Sequence, residues 1–260
     1  MFPYLLIGSA KISMFGLGIA LSLGVFIYRC FRYCQRNQMD FRPLFFALPW
    51  LFAVVYIVGK ISGFVLENNA LSLFSRSGIG YVLSPNGSEF HYVGVVGGAL
   101  LAMILFFINK TKNHIKSMID MFFDATMWMC FVMGIFLVFS DYVIGIPNDH
   151  GRFAVRALTE YSKVTQYGQV YPYGFVISII ALISRSITKL IQQWNNHTGL
   201  GYLGFALFAL CMSFGFSYQL YDKHGVINLG GRVLDIKHYI NILIMIICVI
   251  HYYKLVKTKY

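Results

Sequence analysis

PWLFAVVYIVGKISGFV, residues 49–65, is an apolar run interrupted by a single charge, Lys60. A bilayer's hydrocarbon core of roughly 30 Å takes about 20 apolar residues of helix to cross, and this run with its flanks meets that length. A lysine at mid-depth costs roughly 2.5–3.5 kcal/mol on insertion scales, so it is expected to face protein, water or a polar ligand rather than lipid. The alternative is snorkelling. Only about six residues, roughly 9 Å of helix, separate Lys60 from Glu67, and the lysine stem is long enough to carry its ammonium to the headgroups. Gly59 and Gly63 bracket Lys60 as a pair four residues apart, the spacing that lets helix backbones approach closely in lipid.

The rest of the chain shares this character. Of its 260 residues 58% are hydrophobic, 17% aromatic and only 12% charged, against about 25% charged in soluble domains. The pattern predicts an all-α integral membrane protein, one domain over residues 1–260 with seven transmembrane helices near 12–28, 44–66, 92–108, 121–145, 171–184, 199–221 and 238–256. The fifth is the shortest, opened by Pro172 and Gly174. The first run ends in RCFRYCQR and shows no small-residue cleavage site, so it reads as a span and not a signal peptide.

Lysines and arginines set the orientation. The connections after runs one, three, five and seven hold twelve of them: Arg29, Arg32, Arg36, Arg42, Lys110, Lys112, Lys116, Arg185, Lys189, Lys254, Lys257 and Lys259. The other side holds eight and most of the acids. The N-terminus is therefore expected outside and the C-terminus in the cytoplasm. Long connections fall on the outer face, which places functional loops there.

The net charge of +11 is explained by topology and by attraction to anionic headgroups, and no nucleic-acid motif accompanies it. The cysteines form no disulfide framework: Cys30 and Cys34 sit at the cytoplasmic end of run one, and Cys130, Cys211 and Cys248 lie within spans as small apolar fillers. No metal site and no cofactor are predicted, and no Walker loop, GxSxG elbow, HExxH or dinucleotide fingerprint is present. The internal repeats of many transporters are absent too.

Polar residues inside the spans carry the functional expectation. Run one spaces Gly16, Ala20 and Gly24 as a small-residue stripe, and run three does the same with Gly94, Gly98 and Ala102. His91 precedes the latter stripe by three residues. Run four places Asp124 in its cytoplasmic third and Asp141 at its outer end. Lys60, His91 and Asp141 thus share the outer half of the bilayer on three helices, which predicts one site; its plain alternative is a Lys60–Asp141 ion pair. Arg76 and Arg152 in the outer loops carry guanidinium forks that match phosphate oxygens. Tyr161, Tyr167, Tyr171 and Tyr173 fit an aromatic belt at the interface.

In their order along the chain these features resemble the bacterial prolipoprotein diacylglyceryl transferases, seven-span enzymes of the cytoplasmic (inner) membrane with an external N-terminus. IGSAKISMFGLGIALSLGVFIYRCFR (7–32) is similar to that family's first span, I-G-x-x-x-(I/L)-x-(W/F)-Y-G with basic residues at its end. Lys60 in VGKISGFV stands where the family has the arginine of G-(G/A)-R-(I/L)-G-Y-V. SEFHYVGVVGGALLAMILFFINKTK (88–112) resembles its S-F-H-G-G run, and residues 118–149 occupy the place of its D-x-x-A-P and G-R-(I/L)-G-N signatures. YPYGF (171–175) stands at its H-P-(S/T)-Q-L-Y-E motif. The signature arginine and asparagine fall on Ile135 and Val138, its glutamate near Asp141, and its histidine before proline on Tyr171.

The resemblance implies an enzyme that moves diacylglyceryl from phosphatidylglycerol to a lipobox cysteine of a prolipoprotein signal peptide. Lys60, Arg76, Arg152 and Tyr171 would bind substrate, and His91 and Asp141 would be catalytic. The rival expectations are a degenerate lipid- or lipoprotein-binding protein on the same fold, or a small transporter with polar residues through its full depth.

Overall fold

The computed structural model describes residues 4–7, 10–67, 80, 98, 101, 115–139, 155–156, 169–170, 172–195, 198–219, 227–229, 232–234 and 236–257. Among these are helices α1 (Met14–Arg36), α2 (Arg42–Glu67), α3 (Ile115–Phe139), α4 (Tyr173–Asn195), α5 (Gly201–Gln219) and α6 (Ile236–Lys257). Three antiparallel two-stranded pieces accompany them: β1 (Tyr4–Ile7) with β2 (Ala10–Ser13), β3 (Val155–Arg156) with β4 (Gln169–Val170), and β5 (Ile227–Leu229) with β6 (Arg232–Leu234). Five helices are long and apolar enough to cross a membrane, and α5 contributes a shorter apolar stretch, Gly201–Ser213. This is a helical, multi-pass membrane protein.

Several expected boundaries move. The first run was expected from residue 12, but residues 12 and 13 belong to β2, and α1 continues through Arg29, Arg32 and Arg36. The fourth begins at Ile115 rather than 121. The fifth, expected to stop at 184, runs to Asn195 and carries Arg185 and Lys189 on the helix instead of in a loop. The physical reason is that both cations reach a carboxylate on α3 from helical positions, so their charge does not end the helix. The expected sixth and seventh runs correspond to α5 and α6; the third, 92–108, lies outside the described residues except at Gly98 and Leu101, which are helical.

The chain divides into two compact units, Met1–Tyr33 with Lys116–Tyr260, and Cys34–Ile115. In the first, α3 is the central helix. Met121, Phe122, Phe123, Ala125, Met127, Leu137 and Val138 are all buried, so it is covered on several sides, as a helix with apolar residues all round requires. It runs antiparallel to α1, with Gly18 against Phe136 and Phe26 6.0 Å from Phe122 between ring centroids. The buried stripe of α1 is Gly18, Ser22, Phe26 and Cys30. The expected stripe of Gly16, Ala20 and Gly24 is on another side: Ala20 is exposed and Gly24 meets open space. Small residues alone do not choose the face; the large complementary side chains of α3 do.

Antiparallel α4 meets α3 where Gly134 and Gly174 face each other, and Ser178 Oγ donates to the Phe131 carbonyl at 2.9 Å. A Cβ on Gly134 would come to 2.5 Å from the Gly174 carbonyl oxygen. Helix α5 enters beside the start of α3. Gly199 has φ +89, a left-handed conformation that favours glycine, and a Cβ there would stand 2.7 Å from Lys116 Cβ. Its N–H and that of Gly201 donate to the two Asp120 oxygens at 2.5 and 2.7 Å, satisfying donors that a helix start leaves unpaired. The Phe123 and Phe205 rings then pack edge to face at 5.2 Å. On α6, Leu243, Ile246, Ile247 and Ile250 are exposed, as residues facing lipid are.

In the second unit, α1 closes through bonds from Gln38 N–H to the Gln35 carbonyl and from Met39 N–H to the Cys34 carbonyl, with Gln38 at φ 52. This is a Schellman closure with glutamine in the usual glycine position. Helix α2 follows, its Arg42 N–H donating to Asp40 Oδ1 at 3.0 Å. Pro49 inside α2 removes one rung of the ladder. A Cβ on Gly98 would approach Val58 Cβ to 3.0 Å and Val55 Cα to 3.1 Å, so the stripe expected in run three does touch α2 at this glycine.

Candidate functional site

Lys60 lies on α2 eighteen residues after Arg42, on the same side as buried Gly59. It is 1% exposed, the largest side chain among those fully buried. The ammonium stands 5.8 Å from the centroid of the Tyr56 ring, one turn back on the same helix, within range of a cation–π contact. Ser62 turns its hydroxyl to the Gly59 carbonyl at 2.8 Å. Lys60 is therefore buried in protein and does not snorkel. Its other expected site companions, His91, Asp141, Arg76, Arg152 and Tyr171, lie outside the described residues.

A second constellation is built on α3 in the first unit, and its centre is Asp124. From α1, Arg29 donates to Asp124 Oδ2 through Nη2 at 2.6 Å and Nε at 3.1 Å. From α4, Arg185 Nε donates to Oδ1 at 2.7 Å, and Lys189 Nζ stands 3.1 Å from the same oxygen. Arg185 and Lys189 are four apart, so they present together from one face of α4. The Trp128 ring, one turn along α3 from Asp124, lies 5.2 Å from the Arg29 guanidinium carbon and 5.0 Å from that of Arg185. Both guanidinium groups are thus fixed twice, by the carboxylate and by the indole face. The Asp124 side chain is 12% exposed and Lys189 43%, so the cluster is buried at its acid and open at its lysine.

Of these residues sequence reasoning singled out Asp124 alone, as the acid away from the outer level, and counted Arg29, Arg185 and Lys189 as topology signals. The available signal was the acid itself. A carboxylate inside an apolar run needs cationic partners, and the four-residue spacing of Arg185 and Lys189 offered them. Trp128 had no such signal, because an aromatic residue in a span is ordinary.

Elsewhere in this unit, Asn195 Nδ2 donates to the Tyr252 hydroxyl at 2.6 Å, tying α4 to α6, and the Tyr202 and His251 rings meet edge to face at 5.4 Å. No group of three or more His, Cys, Asp or Glu that could hold a metal ion occurs among the described residues. No protein-family model and no curated protein sequence matches the chain.

Proposed function

We propose that the chain is a divergent diacylglyceryl-transferase-like protein of the bacterial cytoplasmic membrane, with its N-terminus outside and seven spans. The observation that carries this reading is Lys60: a cation buried in protein on an apolar, glycine-bracketed helix, where the resembled family has an arginine. A buried charge in a span is a functional feature by default, and the ligand it suits is an anion.

In this reading phosphatidylglycerol enters sideways from the lipid, and Lys60 with Arg76 and Arg152 holds its phosphate. His91 takes the proton from the lipobox cysteine thiol, because the thiolate is the nucleophile. Sulfur then bonds to the glycerol carbon of the diacylglyceryl group as the carbon–oxygen bond to phosphate breaks. The electron pair leaves on glycerol phosphate, where fixed cations stabilise the charge as it develops. Asp141 orients Lys60, and Tyr171 borders the site. No cofactor is required. The partners are phosphatidylglycerol and a prolipoprotein signal peptide.

A second reading, lipid or lipoprotein binding without transfer, is favoured by α3. The family's signature arginine and asparagine fall on Ile135 and Val138, and Val138 is 5% exposed in the tight approach to α4, 2.7 Å from where a Cβ on Gly174 would lie. That position has been given over to packing. Incubating the purified protein with phosphatidylglycerol and a lipobox peptide, then weighing the peptide, separates the two. A thioether-linked diacylglyceryl adduct supports transfer. An unmodified peptide, under conditions where a family enzyme modifies it, leaves binding as the function.

A further inference from the structure

The Asp124 cluster has no task in that chemistry, and its charges do not balance. Three cations, Arg29, Arg185 and Lys189, surround Asp124, two positive charges more than it neutralises among the described residues, while the buried Asp120 one turn back is engaged by backbone N–H groups. A carboxylate offers about four lone-pair sites; Asp124 accepts from Arg29 Nε and Nη2 on Oδ2 and from Arg185 Nε on Oδ1, with Lys189 Nζ 3.1 Å from Oδ1 as an ion pair. Arg29 Nη1, both η nitrogens of Arg185 and the remaining protons of Lys189 find no second acceptor among the described residues. Trp128 stacks against both guanidinium groups and holds their donor edges in place before any ligand arrives. Preorganised donors lose little on binding.

Attraction of basic residues to the membrane surface explains exposed, independent charges such as Arg32 and Arg36. It does not explain cations drawn from two helices onto a third, inside apolar spans. Asp124 lies eight residues along α3 from Lys116, about 12 Å of helix, in the half of α3 nearer its start. Lys189, half-exposed, marks the open side.

We propose that Arg29, Arg185 and Lys189, arranged by Asp124 and Trp128, form a cradle for the phosphate of an anionic phospholipid headgroup, in the leaflet at the end where α3 begins. It is separate from the transfer site and does not depend on transfer chemistry. Guanidinium forks give it phosphate geometry, the two surplus charges give it preference for a net anion, and the adjoining apolar helices give acyl chains a surface.

The test is lipid binding to the full-length protein in detergent, read by native mass spectrometry with dioleoylphosphatidylglycerol, dioleoylphosphatidylcholine and inorganic phosphate as probes. The anionic lipid is expected to bind preferentially. Lys189→Gln is expected to weaken it about fivefold, the effect of one cation near a membrane surface, while Lys189→Arg keeps it. The same difference is expected in a Lys60→Met background, so loss of the transfer reading leaves this result standing. Displacement of the lipid by millimolar inorganic phosphate would keep the cradle and assign it to free phosphate. Equal binding by wild type and Lys189→Gln, or an equal loss with exposed Arg32→Gln, would overturn the proposal and leave only a structural ion cluster or diffuse attraction.

Discussion

Lys60 on α2 and Asp124 on α3 are both charges well inside apolar helices, and they are accommodated in contrasting ways. Lys60 is 1% exposed with its ammonium over an aromatic ring of its own helix. Asp124 draws cations from α1 and α4, so that one acid ties three helices together. The difference lies in what each side chain offers. A carboxylate accepts from several donors at once and can be a hub, whereas an ammonium has one compact charge and no planar fork. A hub is suited to holding helices.

The strongest way to break that comparison is to remove the hub. Asp124→Asn keeps the shape but leaves three cations around a neutral amide, and breaking a buried ion pair typically costs about 3–5 kcal/mol. The expected outcome is a large drop in melting temperature in detergent and poor yield of folded protein. An unchanged melting temperature would show that packing alone holds α1, α3 and α4.

Lys60 should behave in the opposite sense, with function lost ahead of fold. If its ammonium holds the departing phosphate, Lys60→Met is expected to lower adduct formation about 100-fold, the typical loss for a fixed charge-stabilising group. Lys60→Arg should restore most of it, since the resembled family uses arginine there. The peptide-mass assay reads both variants, and full activity in Lys60→Met would remove Lys60 from the site.

A third substitution asks whether charge or close packing joins α3 to α4. Gly134 faces Gly174 and Ser178 with no room for a side chain, so Gly134→Leu is expected to cost about 1–3 kcal/mol by overpacking. Gly24→Leu on α1, where nothing lies within 4 Å, should cost under about 1 kcal/mol. Thermal melting of the pair measures the contrast directly.

The cost of a charge in lipid left burial and snorkelling both open for Lys60. The membrane character and the long apolar helices follow from sequence because they depend on one-dimensional quantities, run length and hydropathy. Helix rotation does not. Gly16, Ala20 and Gly24 make as good a small-residue stripe as Gly18 and Ser22, and only the fit of Phe136 and Met133 over Gly18 distinguishes them. Arg185 and Lys189 were misassigned for a related reason. Charge counting treats a cation as a helix end, but a cation with a buried carboxylate within reach remains helical. The Asp124 hub therefore required three helix rotations to be known together, and periodicity supplies none of them.

Lys189 gives the smallest effect and the finest discrimination. At 43% exposure its bond to Asp124 is screened by solvent, and exposed pairs are worth about 0.2–1 kcal/mol. Lys189→Gln is thus expected to lower the melting temperature only slightly, because Arg29 and Arg185 still hold the acid. If Lys189 also faces a headgroup, the same change should be disproportionately visible in lipid selectivity. A small stability loss with a clear loss of anionic-lipid preference would place Lys189 at the boundary between hub and ligand site. Stability and selectivity falling together in proportion would instead make it one more strut of the Asp124 network, since a strut affects lipid binding only by loosening the helices that carry it.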